Sequence, residues 1–317
     1  MRLLRALPTM LLLFVPLLLV GCAPFQQPYG TPYRSPILLT DVAIMRDATR
    51  LPLRRWEAER PTAMIIGVHG FNDYSRMYEL AGPWFAERGI SVYAYDQRGF
   101  GAAPGAGRWP GSVALTSDLK TIVALLKDQH QGLPIFVIGA SMGGAVALAS
   151  AADDGLPVDG VILAAPAVWG WSSMSVFLKA PLWVSAHVAP SKMLTGEGLE
   201  RWPSDNTEML RELFRDPLVI KETRIDAIYG LVGLMDEAYL SVPRVTKPVL
   251  LLYGEKDEIV PPEPIDAVAK QFTSPLTYKT YPDGWHMLLR DKQRETVWRD
   301  IEAWIKDHEG NTRARGS

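Results

Sequence analysis

The chain has 317 residues, of which 48% are hydrophobic and 21% charged, and its net charge at pH 7 is −2. This composition excludes disordered and fibrous classes, and the small net charge gives no basis for a nucleic-acid partner. The single cysteine, Cys22, excludes an intramolecular disulfide and a thiolate metal cluster, and we predict no metal and no cofactor. The length suits one large domain, with or without an insertion.

The first 21 residues have the pattern of a secretory signal peptide. Two arginines precede an apolar run over 11–20, which is short for a membrane span and is interrupted by a proline. Leu19-Val20-Gly21-Cys22 resembles the lipoprotein box of bacteria, which implies cleavage before Cys22 and a lipid anchor on that residue. We therefore predict a signal peptide over 1–21 and a protein lipid-anchored in the bacterial cell envelope, facing the periplasm or the exterior. Because Ala23 rather than aspartate follows, the outer membrane is favoured if the host has one; an ordinary secretory signal or an uncleaved anchor is the alternative.

Residues 22–36 are rich in proline and polar residues and predict an extended tether behind the lipidated cysteine. The 14 residues from Ala23 to Pro36 could span at most ~45 Å. That reach is enough to hold a domain away from a bilayer.

From residue 37 onward, strand-like segments alternate with helical ones. The runs 38–45 and 51–56 predict an opening antiparallel hairpin. Continuous apolar runs predict strands that are buried on both faces of a parallel sheet, at 63–68, 90–95, 133–138, 158–165, 249–253 and 276–281. Helical patterns cover 78–88, 113–129, 144–151 and 292–308. The alternation predicts an α/β fold over 37–306, with a mostly parallel central sheet and helices on both faces, followed by a polar tail at 307–317.

The segment 168–245 interrupts this alternation, and we predict that it forms a helical cap inserted between two strands. Helical patterns occur at 209–214 and 225–235, and the first part of the segment is rich in aromatic residues. We predict that Trp169, Trp171 and Phe177 line an apolar or acyl pocket. The alternative is that these side chains only pack the cap against the main domain.

One serine lies in a short segment between a predicted buried strand and an alanine-rich helix. The sequence there is Gly139-Ala140-Ser141-Met142-Gly143, and G-x-S-x-G in that setting is typical of a nucleophile elbow. A serine hydroxyl is a weak nucleophile at neutral pH and needs a base within hydrogen-bond reach. We therefore predict that Ser141 is the nucleophile of a catalytic triad. A glycine-rich turn with an incidental serine is the alternative.

An acid and a base follow the elbow in the order that this motif requires. His286 lies in a loop directly after the last predicted strand, whereas the other two histidines after the serine fall in the predicted cap and tail. The turn at 254–261 offers three carboxylates. We predict Asp257 as the acid, because the G-x-x-D turn places it at the carboxyl end of a strand, where it would accept the imidazole N–H.

Two backbone N–H groups are predicted to stabilise the oxyanion of the reaction. One belongs to Met142, directly after the nucleophile, and the other to Phe71 in the loop His69-Gly70-Phe71. His69 precedes the serine and follows a different strand. We therefore predict that it braces the loop and does not act as the base.

Five motifs in this order resemble the α/β-hydrolases, and more closely the branch of monoacylglycerol lipases and lysophospholipases that is also grouped with serine aminopeptidase S33 hydrolases. They are His69-Gly70-Phe71, Asp96-Gln97-Arg98-Gly99-Phe100-Gly101, Gly139-Ala140-Ser141-Met142-Gly143-Gly144, Gly254-Glu255-Lys256-Asp257 and Gly284-Trp285-His286. The resemblance implies an esterase with a Ser-His-Asp triad and a helical cap. Relatives often have a small residue after His-Gly, so the bulky Phe71 is expected to narrow or reshape the acyl pocket.

These features together predict a serine carboxylic-ester hydrolase that acts through an acyl-enzyme on lipid-like esters, such as monoacylglycerols or lysophospholipids. The expected partners are a small apolar ester and, through the anchor, a membrane; nothing in the sequence indicates the oligomeric state. An amidase or aminopeptidase with the same triad is one alternative, and acyl transfer is another. A surface lipoprotein that uses the fold only for binding is disfavoured, because binding does not require a complete triad.

Overall fold

The structure is a computed structural model that describes residues 23–196, 198 and 200–313, with side chains to residue 309. A nine-stranded sheet runs through this part of the chain. The predicted signal peptide and Cys22 lie outside the described residues. The strands in the described residues, including β8 and β9, which lie outside this sheet, are β1 (Ile37–Leu38), β2 (Val42–Ile44), β3 (Arg50–Trp56), β4 (Ala63–Val68), β5 (Ile90–Tyr95), β6 (Ile135–Ala140), β7 (Gly160–Ala164), β8 (Met193–Thr195), β9 (Glu222–Arg224), β10 (Val249–Gly254) and β11 (Leu276–Tyr281).

The strand order in the main sheet is β1-β2-β3-β5-β4-β6-β7-β10-β11. At one end of this order, β1 pairs antiparallel with β2, β2 with β3, and β3 with β5. The remaining neighbours, β5-β4-β6-β7-β10-β11, all pair parallel. The predicted opening hairpin and the predicted, mostly parallel α/β sheet are therefore confirmed. The carboxyl ends of the parallel strands meet at one edge of the sheet, where a site can be assembled from several loops.

Helices cover both faces of the sheet, as the continuous apolar strands require. They are α1 (Ala81–Ala86), α2 (Ser112–Gln129), α3 (Met142–Ala151), α4 (Val176–Val188), α5 (Thr207–Arg215), α6 (Ile225–Ser241), α7 (Pro262–Ala269) and α8 (Arg294–Arg313). In β4, Met64 and Ile66 join the core beneath α2, α3 and α6, whereas Ala63 and Ile65 join the core beneath α1 and α8. This is the alternation of side chains expected along a strand.

The predicted helix at 78–88 is divided in the structure. A 3₁₀ turn covers Ser75–Tyr78, and α1 begins only at Ala81. Pro83 explains the break, because proline has no N–H to donate to a carbonyl one turn earlier and is tolerated only in the first turn of a helix. At the other end of the chain, α8 continues to Arg313, so most of the predicted polar tail is helical.

The segment between β7 and β10 contains α4, α5, α6 and a separate two-stranded sheet formed by β8 and β9, which the sequence pattern did not predict. Val232, Leu234 and Ala238 of α6 are buried in the main core. By its packing α6 is therefore part of the helical layer over the sheet, although it falls within the cap predicted at 168–245. In contrast, α4 buries only Ala186.

The N-terminal segment, for which we predict an extended tether over residues 22–36, contacts the domain through its described residues. The Gln27 backbone N–H donates to the Trp109 carbonyl at 2.9 Å, and its side-chain amide donates to two further carbonyls of the same glycine-rich loop. The Tyr29 hydroxyl lies 2.8 Å from the Ser117 hydroxyl on α2. These contacts satisfy loop carbonyls that a free tether would leave to water. None of the helices in the described part of the chain is long and apolar enough to cross a membrane.

Candidate active site

Ser141 occupies the turn between β6 and α3 with an unusual backbone conformation. Its φ is 51° and its ψ is −119°, a combination that few residues with a side chain adopt. Its N–H donates to the Ala164 carbonyl at 3.0 Å, and its carbonyl accepts from the N–H groups of Gly144 and Ala167, each at 2.9 Å. The neighbouring strand and the helix start thus hold the strained turn, which presents the serine at the carboxyl edge of the sheet.

The two glycines that flank this turn are required by close backbone contacts. A Cβ atom on Gly139 would lie 2.3 Å from the Gly143 carbonyl oxygen, and one on Gly143 would lie 2.1 Å from the Val68 carbonyl oxygen. No larger residue fits at either position without moving backbone. The two glycines of the G-x-S-x-G pattern therefore allow the helix to pack closely against the strand.

His286 and Asp257 are joined by a direct hydrogen bond. The distance from His286 Nδ1 to Asp257 Oδ2 is 2.8 Å, and the Asp257 side chain is fully buried. Its other oxygen accepts from the N–H groups of Ile259 and Val260 at 2.7 and 2.9 Å. The carboxylate is therefore fixed on both sides, and the bond from Nδ1 leaves Nε2 of the imidazole as the atom that can accept a proton.

The turn that carries Asp257 and the loop that carries His286 contact each other through two glycines. A Cβ atom on Gly254 would lie 2.4 Å from the carbonyl carbon of Gly284, and the N–H of Lys256 donates to the Gly284 carbonyl at 2.9 Å. Both glycines belong to motifs that the sequence analysis singled out, but their contact was not predicted. The structure shows that the absence of side chains at both positions allows Asp257 to approach His286.

A buried carboxylate that was not predicted, Asp291, holds the loop that carries His286. Asp291 is fully buried and accepts hydrogen bonds from the N–H of Trp285 at 2.8 Å and from the Ser204 hydroxyl at 2.6 Å. Burial raises the pKa of the Asp291 carboxyl. Ser204 lies 87 positions before Asp291 in the chain and in no recognisable motif. No local signal in the sequence could therefore have revealed the pair.

A cavity of about 230 Å³ connects Ser141 to His286. Its wall is largely apolar and includes Phe71, Met77, Leu213, Val219 and Met287. The same cavity is bordered by one ion pair, in which Arg290 Nη2 donates to Asp73 Oδ2. A molecule in this cavity would contact the serine hydroxyl and the imidazole at the same time.

The two predicted oxyanion donors lie on segments beside the serine. Met142 is the first residue of α3, where helical N–H groups have no partner within the helix. Gly70 lies close enough to Ser141 that a Cβ atom on it would be 3.9 Å from the serine Oγ, and Phe71 follows it in the cavity wall. The Phe71 ring packs edge-on against Phe100, with 5.6 Å between centroids. The bulky side chain thus both borders the cavity and anchors its loop.

His69 braces this loop through both of its ring nitrogens. Nδ1 lies 2.8 Å from the Gly70 carbonyl, and the N–H of Gln97 donates to Nε2 at 2.9 Å. The Gln97 side chain in turn donates to the His69 carbonyl at 2.8 Å. Complete burial lowers the pKa of the imidazole. As predicted, His69 braces the loop. Both of its ring nitrogens contact backbone groups, so neither is free to accept a proton from the serine.

The three aromatic residues that were predicted to line the substrate pocket do not border the cavity at Ser141. Phe177 is 84% exposed on α4. Trp171 packs against Tyr229 with 5.1 Å between ring centroids, and Trp169 borders a different cavity beside Pro261. The prediction of this pocket is therefore corrected, and for Trp171 the structure favours the alternative of packing within the protein. Within the segment predicted as the cap, the apolar wall includes Leu213 of α5 and Val219 in the loop after it.

Among the described side chains, no group of three or more histidine, cysteine, aspartate or glutamate residues is arranged to hold a metal ion.

Comparison with known proteins places these features in context. The model of the family described as serine aminopeptidase, S33, matches residues 59–293. A monoacylglycerol lipase from Mycolicibacterium smegmatis is 26% identical over 257 residues, which cover 78% of this chain and 89% of that protein. The human monoglyceride lipase is 25% identical over 296 residues, which cover 89% and 94% of the two chains.

A solved structure has the same fold. The crystal structure of the Paleococcus ferrophilus monoacylglycerol lipase aligns with a TM-score of 0.68 at 24% identity, and the alignment covers 81% of this chain and 99% of that one. This likeness shows that the two chains share their fold.

Proposed function

This chain belongs to the family described as serine aminopeptidase, S33, and we propose that it hydrolyses lipid-like carboxylic esters with Ser141, His286 and Asp257 as its catalytic triad. Membership confirms the predicted resemblance to the α/β-hydrolases and makes the protein a serine hydrolase. The observation that supports the triad best is the 2.8 Å bond between His286 and the buried Asp257, at a cavity that also contains Ser141 on its strained turn.

The proposed reaction follows from these positions. Nε2 of His286 accepts the proton of Ser141 as its Oγ attacks the ester carbonyl, and Asp257 stabilises the imidazolium that forms. The N–H groups of Phe71 and Met142 stabilise the oxyanion. His286 then donates the proton to the leaving alcohol. A water molecule, activated by the same histidine, releases the acid and restores Ser141.

The lining of the cavity supports an apolar ester rather than a peptide as the substrate. An aminopeptidase needs a free carboxylate to hold the substrate amine, and the carboxylate in the wall, Asp73, is already bonded to Arg290. The apolar remainder of the wall suits a hydrocarbon chain. Several relatives with similar sequences are monoacylglycerol lipases, which supports a monoacyl ester.

Replacement of the serine tests this proposal. We expect Ser141→Ala to reduce ester hydrolysis by about 10⁴-fold or more and to abolish labelling by a fluorophosphonate probe, with little change in the melting temperature. Ser35→Ala, at an exposed position outside the site, is the control and should leave both signals unchanged. Hydrolysis of p-nitrophenyl esters and of monoacylglycerol measures the activity. A Ser141→Ala protein that retains the wild-type rate would contradict the assignment.

We also propose that the mature protein is lipid-anchored in the bacterial cell envelope through Cys22. The proposal rests on the signal-like residues 1–21 and on the lipoprotein box that ends at the single cysteine. Expression of Cys22→Ser in a bacterial host should move the protein from the membrane fraction to the soluble fraction and prevent incorporation of labelled palmitate. Palmitate labelling of the Cys22→Ser variant at the wild-type level would contradict the anchor.

A further inference from the structure

The connection immediately before α5 holds the chain on both sides of His286. On one side, the N–H of Met287 donates to the Pro203 carbonyl at 2.9 Å. On the other side, the N–H of the residue before the histidine donates to Asp291, and the other oxygen of this carboxylate accepts from the Ser204 hydroxyl at 2.6 Å. The N–H groups next to the proposed base are therefore fixed, directly or through one side chain, by two consecutive residues of this connection.

Two more hydrogen bonds join the same parts of the chain. The Asn206 side-chain amide donates to the Arg290 carbonyl, and the N–H of Lys292 donates to the Asp205 side chain, each at 2.9 Å. The connection before α5 and the loop after the histidine are therefore joined along several consecutive residues. All of these bonds must break before the two can separate.

The same connection also contacts the turn that carries the proposed acid. The N–H of Trp202 donates to a carboxylate oxygen of Glu258 at 2.7 Å, and Glu258 directly follows Asp257 in the chain. The bond between Asp257 and His286, which is 2.8 Å long, requires that the turn and the loop keep their relative positions. Because residues 202–206 bond to both, they can maintain this bond.

The other end of α5 is fixed to the main domain as well. Directly after the helix, Asp216 accepts hydrogen bonds from the Tyr74 hydroxyl at 2.7 Å and from Arg76 Nη1 at 2.9 Å. The N–H of Ile220 donates to the Asn72 carbonyl at 3.0 Å. A segment that is held at both ends can keep a neighbouring loop in place, whereas a segment held at one end would move with that loop.

Ser204 is the buried residue of this connection, with 2% of its surface exposed. Its Oγ accepts from the N–H of Asn206 at 3.1 Å, and its own hydrogen is donated to Asp291. Without the hydroxyl, one oxygen of a fully buried carboxylate would lose the donor that it has in the structure. An unpaired buried acceptor is unfavourable, so the carboxylate would turn and release the N–H beside His286.

We propose that Ser204 is a positioning residue, which acts through Asp291 to keep His286 at hydrogen-bond distance from Asp257. The inference rests on the catalytic triad proposed above and adds to it a residue of the predicted cap that touches no reacting atom. The inserted segment thus affects the rate of the reaction as well as the lining of the cavity.

Removal of the hydroxyl tests the proposal, with the purified protein and p-nitrophenyl butyrate. We expect Ser204→Ala to lower kcat by about tenfold or more, because a small displacement of a catalytic group is enough for a loss of this size. KM should change by less than about twofold, because Ser204 does not border the cavity at Ser141. A general loosening of the fold would not separate the two constants in this way.

Ser91→Ala is the matched control, because it removes another buried hydroxyl far from the site. Ser91 is 3% exposed, and its Oγ accepts from the N–H of Ala58 at 3.0 Å near the amino end of β5, at the opposite edge of the sheet. This variant should lower the melting temperature, as Ser204→Ala does, and leave kcat unchanged. Equal losses of kcat in the two variants would show that destabilisation lowers the rate and that Ser204 does not position the base.

A double-mutant cycle tests whether Ser204 acts through Asp291. Asp291→Asn removes the charge that strengthens the bond from the hydroxyl. In this background we expect Ser204→Ala to lower kcat by less than about twofold. A loss by the same factor in both backgrounds would overturn the route through Asp291.

The outcomes separate this inference from the proposed function. If Ser204→Ala retains the wild-type kcat while Ser141→Ala is inactive, the positioning role is wrong and the ester hydrolase stands. If the wild-type protein cleaves no ester and the fluorophosphonate probe does not label Ser141, the proposed function itself fails.

Discussion

At the scale of single residues, the site depends on side chains and backbone held in conformations that cost free energy. The backbone conformation of Ser141, at φ 51°, costs about 1–3 kcal/mol, and it is held by hydrogen bonds to the Ala164 carbonyl and from the Ala167 N–H. Asp257 is buried as an acceptor of two N–H groups and bonds to His286. Because these groups are already held in place, the serine hydroxyl and a histidine base would not have to rearrange during the reaction.

His69 should make the stability of the protein depend on pH. Burial outweighs the nearby carboxylates of Asp73 and Asp96 and lowers the pKa of this imidazole below its ordinary value of 6.5. Below pH 6.5 the unfolded chain binds a proton there that the folded protein does not. The free energy of unfolding therefore falls as the pH falls, by up to about 1.4 kcal/mol per pH unit from this residue.

Urea denaturation between pH 5 and pH 8 measures this dependence. The variant His69→Gln should have a lower free energy of unfolding at pH 8 and a shallower decline below pH 6.5. The matched control, His187→Gln on α4, should decline in parallel with the wild type. Parallel curves for the wild type and His69→Gln would show that His69 does not carry the pH dependence.

The proposed catalytic residues could be identified from the sequence because each follows a strand that an apolar run predicts. Ser141, Asp257 and His286 come after three apolar runs in a fixed order, and the parallel sheet brings the ends of those runs together. The bond between Ser204 and Asp291 could not be predicted, because neither residue lies in a periodic pattern or a motif. Their contact depends on the path of the inserted segment, which composition does not determine.

At the scale of elements, the site depends on how closely the loops at the edge of the sheet approach one another. The turn after β10, which carries Asp257, and the loop after β11, which carries His286, come into contact at Gly254 and Gly284. Strand positions were predicted well, because apolar runs determine burial on both faces. The small sheet of β8 and β9 was not predicted, because its strands have only three residues each and are partly exposed.

A single methyl group between these loops should impair catalysis. The Cβ of Gly254→Ala would lie 2.4 Å from the backbone of Gly284, so the two loops must separate. We expect kcat to fall by about tenfold or more, because the Asp257–His286 bond lengthens, and the free energy of unfolding to fall by about 1–3 kcal/mol.

Gly233→Ala provides the matched control, because a Cβ there meets no atom within 4 Å and the residue lies inside α6. It should retain wild-type kcat and gain up to about 1 kcal/mol of stability from improved helix propensity. Ester hydrolysis and urea denaturation of both variants measure the effect. Wild-type kcat in Gly254→Ala would show that the close approach of the loops is not required for catalysis.

At the scale of the whole molecule, a buried ion cluster joins parts of the chain that are distant in sequence. Arg98, in the loop after β5, donates to Asp47 in the opening hairpin and to Asp118 in α2, with shortest distances of 2.6 Å in both pairs. The Tyr29 ring of the N-terminal segment lies 5.1 Å from the Arg98 guanidinium. The contacts of residues 22–36 could not be predicted, because composition indicates an extended chain but does not show what that chain contacts.

Removal of this arginine should destabilise the entire domain. The guanidinium holds the pKa of Asp47 at about 2, whereas burial raises the pKa of Asp118 to about 6 despite the same partner. Arg98→Met would leave two buried carboxylates without a counter-charge, and loss of one partner of a buried ion pair costs about 3–5 kcal/mol. Arg299→Met removes an exposed pair with Glu295 and should cost at most about 1 kcal/mol.

Urea denaturation at pH 7 compares the two variants. A second measurement at pH 5 sharpens the test, because protonation of Asp118 removes one of the two uncompensated charges in Arg98→Met. The loss of stability relative to the wild type should therefore be smaller at pH 5 than at pH 7. A loss below 1 kcal/mol at both pH values would show that the cluster does not hold the hairpin, the loop and α2 together. A large loss that does not depend on pH would assign the effect to packing of the arginine side chain instead of its charge.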